Sequence, residues 1–256
     1  MIALSGVCLA LGERPVLKDI SFDVQAGQTK VILGASGSGK TTILRVILGL
    51  YRPDQGSIRV DGQEIAGLDE RHLTQVRQNM AMVFQGAALF DSLTVRENVG
   101  YRLWEQGRLS DDTIEQTVLE SLQFVGLADT IDKMPAELSG GMRKRVGIAR
   151  ALASGAKVLL YDEPTGGLDP INACMISRLI TKLRTKGITQ VVVTHDLDAA
   201  YQVADRIVMI QRGRVIFDGP PDGLRHSEDP AIRGFIDPGC LPNGWEMFAK
   251  PPDPVD

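Results

Sequence analysis

The chain has 256 residues, of which 43% are hydrophobic, 5% aromatic and 23% charged, and its formal net charge is −4. These fractions are those of an ordinary globular protein, and they exclude a disordered chain, a collagen and a continuous coiled coil as overall descriptions. The acidic balance also argues against autonomous binding to nucleic acid or to an anionic bilayer.

The N-terminal third combines antiparallel strands with the first β-α unit. Residues 1–24 predict antiparallel strands, and Thr29–Leu33 is a short apolar run that predicts a buried strand. Residues 40–50 follow a glycine-rich loop and carry apolar side chains at helical spacing, which predicts a helix. Residues 57–60 and Met80–Val83 are further strand candidates.

The segment from residue 94 to residue 153 has almost no strand signal. Ser110 is a good helix N-cap, and the residues after it repeat apolar side chains at helical spacing. We therefore expect a helical insertion of roughly 60 residues within an α/β core.

Strands and helices alternate again in the C-terminal half. The runs KVLLY at 157–161 and QVVVT at 190–194 are typical of strands covered on both faces. The helix between them carries four apolar residues at helical spacing, Ile171, Met175, Leu179 and Leu183. A hairpin at 205–217 and short helical turns near Leu224 and Ile232 follow. This alternation predicts a parallel sheet flanked by helices.

The most specific motif is GASGSGKT at residues 34–41, which lies between a predicted strand and a predicted helix. It fits the pattern G-x-x-x-x-G-K-[ST], for which about 0.01 chance matches are expected in a chain of this length. Its glycines let backbone N–H groups surround a phosphate, and the helix N-terminus adds a positive dipole. Lys40 would reach the β- and γ-phosphates, and Thr41 would offer its hydroxyl to Mg²⁺.

A pair of carboxylates, Asp162 and Glu163, ends the apolar strand after residue 157. Such a pair is common at strand ends and alone is weak evidence for a catalytic site. A phosphate loop in the same chain favours the catalytic interpretation. Asp162 would hold Mg²⁺ through water, and Glu163 would polarise the attacking water as general base.

The sequence LSGGM at residues 138–142 predicts a helix capped by Ser139. Two glycines after the cap leave bare N–H groups at a positive helix end, which favours a second phosphate site. Such a site makes sense if it closes on the nucleotide of a partner chain. A capped helix after a turn, with no ligand, is the alternative.

In this order the motifs resemble the ATP-binding cassette (ABC) family of ATPases, and the matches run from about residue 7 to residue 219. The resemblance implies a P-loop NTPase (RecA-like) α/β core with an N-terminal antiparallel β subdomain and an inserted α-helical subdomain. It places the ATP-binding core at 1–90 and 154–222, the helical subdomain at 91–153, and C-terminal turns with an extended tail at 223–256.

The resemblance also assigns roles to residues. Glu163, His195 and Gln85 would be catalytic, and Thr41, Gln85 and Asp162 would bind Mg²⁺. Residues that would contact ATP are Gly34, Ser36, Gly37, Ser38, Gly39, Lys40, Thr41, Thr42, Ser139, Gly140, Gly141 and Asp169.

Two positions depart from the family pattern. Leu11 stands where the family often has an aromatic residue that stacks on adenine, just before Gly12, so base selectivity is expected to be loose. Met142 replaces the usual glutamine at the end of the signature, which removes an amide contact near the opposite ribose.

Three segments resemble the ATPases of bacterial phospholipid transporters that work with MCE-type proteins: FQGAALF at 84–90, LSGGMRKRV at 138–146 and DPAIRGFID at 229–237. The implied partners are a second copy of the chain, integral membrane permease subunits, an MCE-type lipid-binding subunit and small accessory subunits. Phospholipid would be the cargo, and nucleic acid would not be a partner.

Other functions are weighed against this one. A solute importer or exporter ATPase shares all the motifs. A non-transport cassette protein acting on DNA or ribosomes would carry a long coiled coil or a second phosphate loop, and a GTPase would carry N-K-x-D; none occurs in the sequence.

Three further segments each have two or more interpretations. The apolar residues 87–90 predict a groove for a permease helix, unless they pack internally. The basic residues 143–145 are expected to form a solvated helix face rather than a lipid head-group site. The tail at 239–256 carries Trp245 and Phe248. The resemblance favours docking of this tail across a dimer, and the alternatives are docking on its own subunit or disorder.

The chain is expected to act in the cytoplasm, peripherally on the cytosolic face of the inner membrane through a permease. No stretch of about 18 continuous apolar residues predicts a membrane span, and no signal peptide is indicated. Cys8, Cys174 and Cys240 are widely spaced, which favours reduced thiols over disulfides or a metal site.

Overall fold

The computed structural model of the protein describes residues 1–237 and confirms the expected α/β fold. The strands are β1 (Ile2–Leu11), β2 (Arg14–Val24), β3 (Thr29–Leu33), β4 (Gln55–Val60), β5 (Gln63–Glu64), β6 (Met80–Val83), β7 (Val158–Asp162), β8 (Thr189–Thr194), β9 (Arg206–Gln211) and β10 (Arg214–Gly219). The helices are α1 (Lys40–Ile47), α2 (Glu70–Arg77), α3 (Val95–Gln106), α4 (Asp111–Phe124), α5 (Gly140–Ala153), α6 (Pro170–Arg184), α7 (Leu197–Val203), α8 (Pro221–Arg225) and α9 (Pro230–Ile236).

Two sheets organise these elements. The larger has the order β10-β9-β3-β8-β7-β6, in which β9, β3, β8, β7 and β6 run parallel and β10 is antiparallel to β9. The smaller is antiparallel, with the order β2-β1-β4-β5. Because the carboxyl ends of parallel strands meet at one sheet edge, the loops after β3, β7 and β8 converge there.

The central strands are buried on both faces because two hydrophobic clusters cover them. Leu159 and Tyr161 of β7 face one cluster, which includes residues of α3 to α7. Val158 and Leu160 face the other, formed with α1 and the antiparallel sheet. Continuous apolar runs in β3 and β8 reflect the same two-sided cover.

Two predicted helices differ in detail from those observed. α1 ends at Ile47 rather than residue 50, because Gly49 takes a φ of 66° and turns the chain. α6 buries Ile176, Ile180 and Leu183, whereas Ile171 of the predicted apolar stripe is 75% exposed. The buried face is therefore rotated from the expected one.

The insertion between residues 94 and 153 contains helices and no strand, as predicted. Thr94 and Glu97 form a reciprocal capping box at the start of α3, and Ser110 caps α4. The division into a core at 1–90 and 154–222 and a helical subdomain at 91–153 remains our proposal. α8 begins two residues before the proposed boundary at 223.

No helix between residues 1 and 237 is both long enough and apolar enough to span a bilayer. The expected docking of the tail at 239–256, including Trp245, lies outside the described residues.

Candidate functional site

The phosphate loop connects β3 to α1 at the carboxyl edge of the large sheet. Ser36 and Gly37 are exposed, whereas Ser38 is buried and its Oγ has no hydrogen-bond partner within residues 1–237. Gly39 is the N-cap of α1 with a φ of 106°, a conformation that favours glycine. The Ser38 hydroxyl lacks a partner among the described residues and lies just before the N-terminus of α1. It is therefore suited to bind an anionic ligand such as a phosphate.

The first turn of α1 has no side-chain cap. Among described helices of eight or more residues it is alone in this, because side chains cap α2 to α6. Its first N–H groups are therefore available to a ligand, and Thr42 lies in that same turn. Gly34 and Gly37 lie in the loop that leads into this turn, and Thr42 lies within α1.

Lys40 is buried and folds back over the loop. Its Nζ donates to the carbonyl oxygens of Gly34 at 2.8 Å and Ala35 at 3.1 Å. The same atom lies 3.5 Å from Glu163 Oε1. The ammonium therefore lies between the loop and the predicted general base, where it can contact a terminal phosphate.

Thr41 and Asp162 lie in direct contact. Thr41 Oγ1 donates to Asp162 Oδ1 at 2.9 Å. Burial raises the pKa of the Asp162 carboxyl, the hydrogen bond from Thr41 opposes that rise, and the charge of Glu163 adds to it. A hydroxyl beside one carboxylate fits Mg²⁺, which usually takes one or two carboxylates plus phosphate and water. Residues 1–237 contain no cluster of three or more His, Cys, Asp or Glu side chains placed to hold a metal ion.

Glu163 directly follows β7 and is held by both its backbone and its side chain. Its φ is 47°, and its amide donates to the carbonyl of Val193 in β8 at 3.0 Å. Glu163 Oε2 lies 3.0 Å from His195 Nδ1 and accepts from Thr194 Oγ1 at 3.2 Å. The carboxylate is thus mostly buried between a lysine, a histidine and a threonine.

Gln85 is exposed in the loop after β6 and approaches the segment that follows Glu163. Its Nε2 would lie 3.5 Å from a Cβ built on Gly166. The structure therefore brings Gln85, Glu163 and His195 to the same edge, as the sequence predicts.

The signature segment starts α5 with the predicted cap. Ser139 is exposed, and its Oγ accepts from the Met142 amide at 3.3 Å. Gly140 is also exposed, whereas a Cβ on Gly141 would lie 2.4 Å from Asn172 Oδ1 at the start of α6. The helix end is thus open to solvent and packed on one side against α6.

Of the basic residues after the signature, Arg143 is exposed as expected and Arg145 is half-buried, whereas Lys144 is buried, so the expected solvated face was wrong for Lys144. Lys144 is only 7% exposed, and its Nζ donates to three backbone carbonyls. Arg143 donates to the Leu138 carbonyl, and Arg145 donates to Val125. Each cation satisfies carbonyls left free at loops and helix ends.

Asp169 has a structural role that its sequence pattern does not reveal. Its carboxylate caps α6, accepting from the amides of Ile171 and Asn172 at 3.0 Å each. The Asn172 side-chain hydrogen bond is the main reason why the pKa of Asp169 is lowered. Its contact with nucleotide across a dimer remains a proposal.

Sequence reasoning missed two groups at this site. Thr194 contacts Glu163, and its place at the end of the strand beside β7 is a signal that could have identified it. Lys144 contacts the Glu163 loop from α5, and nothing in its sequence spacing indicates that contact.

The apolar segment after β6 is partly internal and partly exposed. Ala87 is buried, whereas Phe84 and Phe90 are 43% and 44% exposed. Phe90 packs against Tyr101 of α3, with ring centroids 4.8 Å apart. These rings line a groove of about 720 Å³ between β6, α3 and the end of α5. Arg150 of α5 also lines this groove, and it donates to the backbone carbonyls of Ala87 and Ala88.

Leu11 lies at the tip of the β1–β2 hairpin and is 43% exposed. The hairpin adjoins the phosphate loop, because the Val16 carbonyl would lie 3.2 Å from a Cβ on Gly39. Phe22 is buried in the core, so its ring does not replace the missing aromatic. The Tyr51 hydroxyl accepts a hydrogen bond from Arg45 Nη1 at 3.0 Å.

We expect Leu11→Tyr to tighten ATP binding and to widen the ATP/GTP ratio. Stacking adds about 0.5–1.5 kcal/mol beyond area burial, which is up to about tenfold in Kd. Calorimetric titration with both nucleotides measures the change. Leu109→Tyr is the control, since Leu109 is 46% exposed in the helical segment. Equal ATP and GTP affinities in the Leu11 variant would contradict the stacking argument.

The fold and the site together define a P-loop nucleoside triphosphatase with an inserted helical segment. The family model described as ABC transporter matches residues 17–166. The chain belongs to the ABC transporter family, and it is an ATP-binding ATP hydrolase of that type.

Curated relatives match most of the chain. The "Intermembrane phospholipid transport system ATP-binding protein MlaF" of Escherichia coli K12 is 37% identical over 93% of this chain and 88% of its own length. "Protein TRIGALACTOSYLDIACYLGLYCEROL 3, chloroplastic" of Arabidopsis thaliana is 36% identical over 92% and 73%. The "Probable ribonucleotide transport ATP-binding protein mkl" of Mycobacterium leprae is 36% identical over 92% and 68%.

Solved structures agree with the family. The dimeric post-hydrolysis state of the ATP-binding cassette MJ0796 with ADP and Pi has a TM-score of 0.78 and 34% identity, covering 86% of this chain and 99% of that one. CbiO1 from Clostridium perfringens, part of the ABC transporter complex cbiONQ, has a TM-score of 0.83 and 29% identity, covering 96% and 98%.

Proposed function

We propose that this protein is the ATP-hydrolysing subunit that drives a separate membrane permease in phospholipid transport. The observation that carries the proposal is the similarity to MlaF, which extends over 93% of this chain and 88% of MlaF. The chain would work as a homodimer on the cytosolic face of the inner membrane, with permease, MCE-type and small accessory subunits.

The geometry supports hydrolysis by general base catalysis. Glu163 Oε2 would take a proton from the attacking water, while His195 Nδ1, 3.0 Å from that oxygen, orients the carboxylate. Lys40 would neutralise charge on the terminal phosphate, and Gln85 would contact the water from the opposite loop.

Mg²⁺, when bound by Thr41, Asp162 and Gln85, would supply charge neutralisation at the phosphates. The contact between Thr41 and Asp162 supports this assignment. Ser139, Gly140 and Gly141 would contact the nucleotide held by the second copy, because Ser139 and Gly140 are exposed at the N-terminus of α5.

The apolar groove supports docking of a permease. Phe84, Phe90 and Tyr101 expose their rings there, and an amphipathic helix of a membrane subunit could bury them. Phe84, which lines the groove, directly precedes Gln85 in the chain, so Gln85 would connect the permease to the hydrolytic site.

We expect Phe90→Asp to reduce copurification of the permease by about tenfold or more, because a buried charge without a partner costs more than 1.4 kcal/mol. Quantitative mass spectrometry of proteins and lipids copurified with the full chain in mild detergent measures both permease and cargo. ATP binding by the variant should be unchanged.

Leu50→Asp is the matched control, since Leu50 is an exposed leucine outside the groove. Enrichment of phospholipid with the wild-type complex is the expected result. A permease that brings nucleotides rather than lipids would favour the transport named for the Mycobacterium leprae relative and would contradict the lipid proposal.

A further inference from the structure

Lys144 is a buried cation whose donors are all directed at one loop. Its Nζ lies 3.4 Å from the carbonyl oxygen of Glu163, 3.0 Å from that of Pro164 and 2.5 Å from that of Gly166. An ammonium has three N–H donors and no acceptor, so these three contacts match its hydrogen-bonding capacity. The protein's own carbonyls therefore occupy the three donors of this ammonium.

The loop that Lys144 contacts carries the proposed general base. Glu163 has a φ of 47°, in the left-handed region that a residue with a Cβ seldom adopts. The Glu163 carbonyl also accepts from the Gly166 amide at 3.1 Å, which closes a tight turn. Three carbonyls that point to one place repel one another unless a donor lies between them.

Lys144 supplies that donor, and its ammonium is buried close to Glu163. Within residues 1–237 the contacts of its Nζ are with these backbone carbonyls rather than with a carboxylate. Burial lowers the pKa of Lys144, and the charge of Glu163 opposes that shift. The lysine and the glutamate are therefore coupled without touching through their side chains.

We propose that Lys144 is a positioning residue of the hydrolytic site, which fixes the Glu163 turn and so aims its carboxylate at the attacking water. This inference rests on the proposed role of Glu163 as general base. Lys144 does not contact the nucleotide, because its three donors are directed at the loop behind the carboxylate.

The position of Lys144 on α5 gives this contact a further consequence. Ser139 caps the same helix five residues earlier, about 7.5 Å along its axis. The helix end that would bind the nucleotide of the second copy is therefore rigidly connected to the cation that fixes the base in its own copy. A shift of α5 when two copies close around nucleotide would therefore change the backbone conformation of the Glu163 turn.

The test is Lys144→Met in the full-length chain, with kcat and KM for ATP measured separately. Met is unbranched and only one heavy atom shorter than Lys, and it removes the three donors. We expect kcat to fall by about 10- to 100-fold with KM unchanged within about twofold, because misplacing a reacting group by about 1 Å has effects of this size. Lys144→Arg, which keeps the charge and several donors, should restore most of kcat.

Arg145→Met is the matched control, since Arg145 lies on the same helix and donates to the Val125 and Gly126 carbonyls, away from the site. The Arg145 variant should keep wild-type kcat. Equal loss of kcat in both variants, with equal loss of thermal stability, would overturn the proposal in favour of a general packing role.

Single-turnover hydrolysis in the Glu163→Gln background separates this inference from the assignment of the base. If Lys144 acts through Glu163, adding Lys144→Met to Glu163→Gln slows hydrolysis little further. A full additional loss would overturn the positioning role. If Glu163→Gln alone retains wild-type turnover, the assignment of the base fails; if only Lys144→Met retains it, the positioning role alone fails.

Discussion

Glu163→Gln is expected to keep ATP binding while slowing hydrolysis by roughly 10²- to 10⁴-fold, the usual contribution of a positioned base. Gln preserves the length and shape of the side chain, so the contacts with Thr194 and His195 can persist. It cannot accept the proton of the attacking water. Steady-state release of phosphate at saturating ATP measures kcat, and a nucleotide titration measures Kd.

The same variant should accumulate as an ATP-bound dimer, because nucleotide stays in both sites and is not consumed. Size-exclusion chromatography with and without ATP and Mg²⁺ detects it. Lys40→Ala is the contrasting variant, since it should lose nucleotide binding and stay monomeric under the same conditions. Near-normal turnover by Glu163→Gln would remove Glu163 from the role of base.

Much of the fold follows from patterns that act over short stretches of sequence. β3, β6 and β8 are short apolar runs whose bounds were predicted within one residue, because two-sided burial demands apolar side chains at consecutive positions. The caps at Ser110 and Ser139 were also predicted, since a serine before a periodic helix is a local signal.

The face that a helix buries depends on tertiary packing, and it was predicted less well. Ile171 and Met175 fit an apolar stripe on α6, yet the core covers Ile176 and Ile180 instead. The first turn of α6 is set by the Asp169 cap and by the approach of Gly141 to Asn172, and neither constraint is written in helical periodicity.

The sequence predicted which residues form the site, but not the distances between them or their backbone conformation. The motifs identify Thr41 and Asp162 as site residues. Their contact comes from the order of the parallel strands, which brings Thr41 Oγ1 to 2.9 Å from Asp162 Oδ1. The left-handed backbone at Glu163 has no sequence signal, because Glu is not a residue that favours it. Lys144 resembles a surface lysine in sequence, and only its burial under the Glu163 turn reveals another role.

Ser139→Arg is expected to abolish ATP-driven dimerisation and with it most hydrolysis. Ser139 is exposed at the open end of α5, where a long side chain would fill the space that a nucleotide of the second copy must enter. The variant also loses the capping bond to Met142, which contributes about 1 kcal/mol to helix stability. Size-exclusion chromatography with ATP measures dimerisation, and phosphate release measures turnover.

Ser110→Arg controls for the loss of a cap, because Ser110 caps α4 with the same geometry and lies in the same helical segment. That variant should dimerise and hydrolyse ATP like the wild type. If Ser139→Arg also dimerises with ATP, the signature does not contact the nucleotide of a second copy.

Mixing two inactive variants tests the shared site most directly. A heterodimer of Lys40→Ala with Ser139→Arg pairs the intact phosphate loop of one copy with the intact signature of the other, and its second site carries both changes. In an equal mixture about half of the dimers are mixed and each has one intact site of two, so activity should recover to at most about a quarter of wild type. A signature that served the phosphate loop of its own chain would leave every copy in the mixture defective. Recovery on mixing is therefore expected only if each ATP site is completed by the opposite subunit.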